Sequence, residues 1–190
     1  MVLAYHCIFG FYGFWLPNDP RGSGSDYVAS RELLNFGPAT KVSSHRSVAG
    51  RPHDHARRRA AKEALRYPPV VITGIQAVAV ADGFRKATQE GNYLLQACAI
   101  LPDHVHLVIA RHDRLIRQIV GHLKARATVM LRQNKTWPAD DRPVWGEHGG
   151  SVFLNDREAV ERAVRYVEKN PMKQGRQRQQ WSFTAKSGSA

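Results

Sequence analysis

The run Leu101-Pro102-Asp103-His104-Val105-His106-Leu107-Val108-Ile109 constrains this chain more than any other, because it sets two histidines two residues apart inside an apolar stretch of strand character. Side chains on a strand alternate between faces, so His104 and His106 share one face while Val105, Leu107 and Ile109 share the other. Neutral imidazole is the commonest metal ligand, and a strand holds two ligands at a fixed separation better than a loop does. The pair reads as two-thirds of a metal site open to substrate. The competing reading is a half-buried sheet face that carries two histidines. Burying neighbouring imidazoles requires two hydrogen-bond solutions or a cation, and this favours the metal.

The elements around that hairpin follow from pattern and punctuation. A strand over about Leu3 to Tyr12 opens the chain, and a long irregular insertion over 13–50 follows it, broken by Pro17, Pro20 and Gly37-Pro38. A basic helix spans His53 to Arg66. Thr73-Gly74-Ile75-Gln76 is a capping box that opens a further helix, with Ile75, Val78, Ala81 and Phe84 as its apolar stripe and Gly91 just past its end. Strands over Tyr93–Ile100 and His104–Ala110 meet at the tight turn Leu101-Pro102-Asp103. A helix over Arg114–Gln133 turns Ile116, Ile119, Val120, Leu123, Ala127 and Met130 inward. After a loop over Asn134–Gly150 come a short strand at Ser151–Leu154 and a last helix, capped at Asn155-Asp156 and running to Lys169. One domain over 1–182 is expected, with residues 183–190 as a disordered tail.

The charge narrows the partner. Lys and Arg number 28 against 16 Asp and Glu, a formal net charge of +12. An excess of that size points to a polyanion, nucleic acid first, because neutralising phosphates releases counterions. A solubilising surface and the arginine usage of a GC-rich genome are the alternatives. Cys7 and Cys98 stand in separate apolar runs and imply neither a disulfide framework nor a thiolate zinc site, so a reduced cytosolic setting is expected. The apolar start lacks a basic flank and a small-residue cleavage site, and no apolar run reaches the roughly 20 residues that span a bilayer. No membrane association is expected.

On the last helix Val160, Ala163, Val164 and Val167 form the buried stripe, with Tyr166 and Asn170 together at its border, one turn apart. Tyr166 reads as reaching toward a bound phosphate or as an aromatic at the core margin. Asn170 reads as a third, oxygen ligand or as a helix terminator before Pro171. One oxygen with two imidazole nitrogens suits Mg²⁺ or Mn²⁺. A second His-x-His, His53-Asp54-His55, opens a helix, where positions two apart diverge by about 200°. No metal is assigned to it.

The run Leu101 to Leu107 resembles the HUH motif (histidine, hydrophobic, histidine) of single-tyrosine transposases. Arg165-Tyr166-Val167-Glu168-Lys169-Asn170-Pro171 resembles their nucleophile helix in the form found in REP-associated tyrosine transposases. Trp15-Leu16-Pro17, Asp19-Pro20-Arg21-Gly22, the helix capped at Thr73 and Gln180-Trp181 extend the likeness over most of Tyr5 to Trp181. The resemblance implies an α+β, ferredoxin-like antiparallel sheet with helices packed on one face and the histidines on a central strand. It implies His104, His106 and Asn170 as ligands of a divalent cation, Mg²⁺ or Mn²⁺, and Tyr166 as nucleophile. The expected activity is that of a DNA nicking and strand-transfer enzyme, cleaving single-stranded or hairpin DNA through a 5′-phosphotyrosine in the bacterial cytoplasm at the nucleoid. The insertion-sequence branch typically carries Gln where Asn170 stands, which sides this chain with the REP-associated branch, often single-copy and domesticated. Monomer and homodimer both fit.

A phenol with a pKa of about 10 must lose its proton during attack. Asp103, Glu147, His148 and metal-bound water are the open choices of base. Arg57, Arg58, Arg59, Lys62, Arg117 and Lys124 are candidates for holding the DNA backbone, and Trp15 and Trp145 for stacking on unpaired bases. Two other activities remain at this stage: a domesticated hairpin-binding protein that does not cut, and a metal-dependent phosphodiester hydrolase.

Overall fold

The structure is a computed structural model that describes residues 1–19, 28, 31–39 and 52–185. Among these residues the strands are β1 (Ala4–Phe11), β2 (Leu95–Ile100), β3 (His104–Ala110) and β4 (Trp145–Leu154), and the α-helices are α1 (His55–Glu63), α2 (Gly74–Gly91), α3 (Ile116–Gln133) and α4 (Arg157–Lys173). The sheet runs in the order β2-β3-β1-β4. β2 and β3 pair antiparallel, with Ala99 opposite His106 and Ile100 opposite Val105. β1 runs antiparallel to β4, since Leu3 N–H bonds the Leu154 carbonyl at one end and Tyr12 N–H bonds the Val144 carbonyl at the other. With α2 feeding β2 and α3 following β3, this is the βαββαβ order of a ferredoxin-like α+β fold, as the sequence led us to expect, except that α4 adds a helix to the second sheet face where helices were expected on one face alone.

The chain divides into two compact units, one made of Met1–Ile8, Ile72–Asp141 and Ser151–Ala190, the other of Phe9–Val71 and Arg142–Gly150. In the first, α4 lays Ala163 and Val167 on a sheet face built from Ala4, Ala97, Ala99 and Val108. Alternation puts Cys98, Ile100, Leu107 and Ile109 on the opposite face, and they too are buried. The pair α2 and α3 belongs to that side. Gly83 lets the two helices meet backbone to backbone: a Cβ built there would lie 2.3 Å from the Ala127 Cα. In the second unit a smaller cluster of Leu16, Leu33 and Ala61, with Phe36 and Leu65 against it, joins α1 to a short 3-10 helix at Arg31–Phe36. This gives structure to part of the 13–50 insertion. Residues 20–27, 29–30 and 40–51, Pro20-Arg21-Gly22 with them, lie outside the described residues.

Capping decides several boundaries. The Thr73 box is made: Gln76 N–H donates to Thr73 Oγ1 at 3.3 Å and Thr73 N–H to Gln76 Oε1 at 2.9 Å, while Gln76 Nε2 reaches the Thr136 carbonyl at 2.7 Å. The stripe expected on α2 is rotated, however. Ala81 and Phe84 are buried as expected, but Ile75 and Val78 are 73% and 55% exposed, and Val80 and Ala87 are buried in their place. The Gly83 approach to α3, a long-range contact, sets that rotation. Asn92, in the left-handed region at φ 52°, ends α2 in place of Gly91. Gly91 is required for another reason, since a Cβ there would enter the Tyr93 ring. On α3 the core position is Leu131 where Met130 was expected.

β4 begins at Trp145, well before the expected Ser151. Its Gly-rich first half lacks the apolar alternation that marks a strand. Asp156 alone caps α4, accepting Ala159 N–H at 2.7 Å. The helix then passes through Pro171 to Lys173, beyond the expected end at Lys169. Pro171 forfeits only its own hydrogen bond, and burial of Asn170 and Pro171 holds the last turn. The expected tail from 183 also shifts: Thr184 bridges Leu95, and Ala185 N–H bonds the Leu95 carbonyl. Residues 186–190 lie outside the described residues.

Candidate active site

The face that α4 covers is also the face that carries the histidines. β3 presents His104, His106 and Val108 on it by alternation, and β1 presents Ala4 and His6. Toward one end this face is the apolar cluster under Ala163 and Val167, and where α4 turns Tyr166 toward the sheet the surface becomes imidazole. His106 is 4% exposed and Asn170 7%, both deep for polar residues, whereas Tyr166 keeps 40% of its surface open to solvent.

His104 Nε2 and His106 Nε2 face each other at 3.0 Å. Behind each ring stands a partner for the other nitrogen. Asp103 Oδ1 lies 2.6 Å from His104 Nδ1, and because a carboxylate only accepts, that nitrogen carries the proton and the His104 Nε2 lone pair is free to point at His106. His6 Nε2 lies 3.2 Å from His106 Nδ1, and the two rings stack at 5.4 Å. Two lone pairs cannot face each other at this distance without a proton or a cation between them. Two nitrogens in neighbouring positions on one octahedral cation, each about 2.1 Å from it, would stand about 3.0 Å apart, so the donor pair fits a divalent ion. Metal ligation needs neutral rings. Burial first, then the neighbouring His104, His6 and Lys173, hold His106 well below its ordinary value, and burial holds His6 behind it down at about 4.

Tyr166 closes the site from α4. Its ring meets His106 at 5.6 Å and His6 at 5.7 Å, both edge-on. Lys173 places Nζ 4.1 Å from the Tyr166 ring centroid. Burial raises the Tyr166 phenol above its ordinary value. Tyr166, Asn170 and Lys173 stand at i, i+4 and i+7, one face of the helix. Asn170, between the other two in the helix, is buried. A carboxamide oxygen is a hard donor, and one such oxygen with two imidazole nitrogens is the kind of set that suits Mg²⁺ or Mn²⁺.

Of the residues singled out from the sequence, His104, His106, Tyr166 and Asn170 thus belong to one unit and one sheet face. Asp103 is bound to His104. Glu147 and His148 belong to the other unit, and the His148 side chain lies outside the described residues. Arg117 and Lys124 are on α3, on the far side of the sheet from α4. The remaining candidates lie in the second unit, several already engaged. Arg57 donates to the Asn35 carbonyl at 2.8 Å, and Arg58 bonds His53 at 2.9 Å and stands 4.0 Å from buried Asp19. Trp145 stacks on Phe11 at 4.5 Å, and Trp15 leans on Phe14 at 5.1 Å. Arg59 and Lys62 point to solvent. Two residues of the site escaped the sequence reading. His6 is a single histidine in an apolar strand, and only strand order brings it to His106. Lys173 lies past a proline that reads as a helix end.

No helix among the described residues is long and apolar enough to cross a membrane. No protein-family model matches the chain, and no curated protein matches it. Among solved structures the chain is similar to a REP-associated tyrosine transposase bound to a REP hairpin, at 11% identity and a TM-score of 0.49 over 91% of this chain and 68% of that one. It is likewise similar to a Deinococcus radiodurans R1 protein assigned as a transposase, at 14% identity and a TM-score of 0.41 over 89% of this chain and 91% of that one.

Proposed function

We propose that the chain is a transposase-like enzyme of the HUH single-tyrosine kind, of the REP-associated branch, which nicks single-stranded or hairpin DNA and rejoins it through a 5′-phosphotyrosine. One observation carries the reading: two imidazole Nε2 atoms face each other at 3.0 Å, each ring backed at Nδ1, with a part-exposed tyrosine ring against the same histidines. Neither a sheet face that carries histidines by chance nor a packing tyrosine calls for that convergence.

His104, His106 and Asn170 are the residues that would hold Mg²⁺ or Mn²⁺. A divalent cation bound there supplies positive charge to the oxygens of a scissile phosphate. Tyr166 Oη attacks phosphorus; the new bond joins the phenolic oxygen to the 5′ phosphate, the bond to the 3′ oxygen breaks, and the strand leaves with a 3′ hydroxyl. One phosphoester replaces another, so rejoining needs no nucleotide cofactor. The phenol resists ionisation in its half-buried place, and the Lys173 ammonium beside the ring favours the phenolate. The surplus of positive charge supports a nucleic-acid partner in the cytoplasm, at the nucleoid.

The test is incubation of the protein with a single-stranded DNA hairpin and Mn²⁺, followed by denaturing electrophoresis. A protein–DNA adduct is expected from the wild type, and none from Tyr166→Phe or with chelator present. Hairpin binding without an adduct would make the protein a non-cleaving binder. Free 5′ phosphate with Tyr166→Phe still active would make it a hydrolase.

A further inference from the structure

The two facing histidines are backed by different chemistry. A carboxylate stands behind His104, and a third imidazole, His6 of β1, stands behind His106 at 3.2 Å. Histidines that bind metal almost always donate their other ring N–H to an acceptor, which sets the tautomer and the orientation of the ring. The two nitrogens of an imidazole point to opposite sides of the ring. His6, at Nδ1, is therefore behind His106 and away from the gap between the Nε2 atoms, placed to orient His106 and not to join the ligand set.

We propose that His6 is a positioning residue of this site: it accepts the Nδ1 proton of His106 and so keeps the His106 Nε2 lone pair directed at the cation, while its ring supports the edge of Tyr166. The proposal rests on the reading of His104 and His106 as metal ligands. Without a cation the protons can run one way along the chain, from His6 Nε2 to His106 Nδ1, from His106 Nε2 to His104 Nε2, and from His104 Nδ1 to Asp103. With a cation the His106 proton sits on Nδ1 and the His6 proton on its own Nδ1, so the same two contacts serve both states and no proton is gained or lost. A neutral imidazole has a further advantage over a carboxylate in this position. His6 lies 5.7 Å from the Tyr166 ring, and a negative charge there would oppose loss of the phenolic proton during attack.

Mn²⁺ binding to the full chain without DNA, followed by electron paramagnetic resonance, tests this independently of cleavage. His6→Phe keeps an aromatic ring and removes the acceptor; affinity is expected to fall on the order of 10- to 100-fold. His6→Gln returns an acceptor oxygen and is expected to restore affinity to within about threefold of wild type, a rescue that a purely structural role would not give. Undiminished affinity in His6→Phe, or equal losses in both variants, would overturn the inference and leave the metal site standing. Wild-type protein that fails to bind Mn²⁺, or binding that survives loss of both His104 and His106, would remove the metal site and this inference with it. Should the variants not fold, long-range ¹H–¹⁵N spectra of wild-type protein loaded with diamagnetic Zn²⁺ are decisive: a proton on His106 Nδ1 is expected, and a His106 ring without one overturns the proposal.

Discussion

Lys173 stands beside both halves of the site. Its ammonium lies 4.1 Å from the Tyr166 ring centroid, and it contributes to holding His106 neutral. Unit charges about 4 Å apart near a protein surface interact by about 1–4 kcal/mol, so Lys173→Gln is expected to slow single-turnover adduct formation roughly tenfold. Mn²⁺ affinity, read in parallel, should not fall and is expected to rise, because the ligands are untouched and a positive charge facing the cation is removed. Lys124 offers a prediction of the opposite kind. Burial lowers its ammonium to about 8, against about 10.4 for a free lysine. Below about 8 the buried charge opposes folding in full. Between about 8 and 10.4 the unfolded chain binds more protons than the folded one, so stability rises with pH across that window. Urea melts of Lys124→Met are expected to lose that rise and to show a higher midpoint at pH 7 than wild type.

At the level of elements, one substitution at two glycines should give opposite signs. Gly83 on α2 faces the Ala127 backbone, with Cα 2.3 Å from a built Cβ, whereas a Cβ on Gly121 of α3 meets nothing within 4 Å. Gly83→Ala is expected to lower stability by about 1–3 kcal/mol through overpacking of the helix pair. Gly121→Ala should raise it by about 0.5–1 kcal/mol by reducing the freedom of the unfolded chain. Thermal denaturation of the two variants beside wild type reads both signs. The same pair of helices explains which elements were legible beforehand. β2, β3, α3 and the start of α2 declare themselves through alternation, a tight turn and a capping box, all local signals. The rotation of α2, the early start of β4 and the passage of α4 through Pro171 depend on what lies across the interface, and no local pattern carries that.

For the molecule as a whole, the net charge of +12 makes the proposed DNA binding a question of salt. If about four phosphates of a single strand are neutralised, the slope of log affinity against log salt is about −3, and hairpin affinity falls roughly 50-fold between 0.05 and 0.2 M salt. Fluorescence anisotropy over that range is expected to show such a slope, and a flat response would exclude an electrostatic interface. The β2 edge shows the same dependence on distant parts of the chain: Gln179 Oε1 accepts Ile100 N–H at 2.8 Å, and Gln179 Nε2 donates to the Ile100 carbonyl at 2.7 Å, which brings a segment that reads as a basic tail onto the sheet. By itself the sequence determined the His-x-His face, the last helix with Tyr166 and Asn170 one turn apart, the hairpin that carries the histidines and the order of elements that makes an α+β sheet, because each rests on spacing along a few residues. Only the tertiary structure decided that His6 backs His106, that Asn170 is buried between Tyr166 and Lys173, and that α4 lies on the histidine face. Those are contacts between β1, β3 and α4, as far as 100 residues apart for His6 and His106, and they exist only once the strand order β2-β3-β1-β4 has been made.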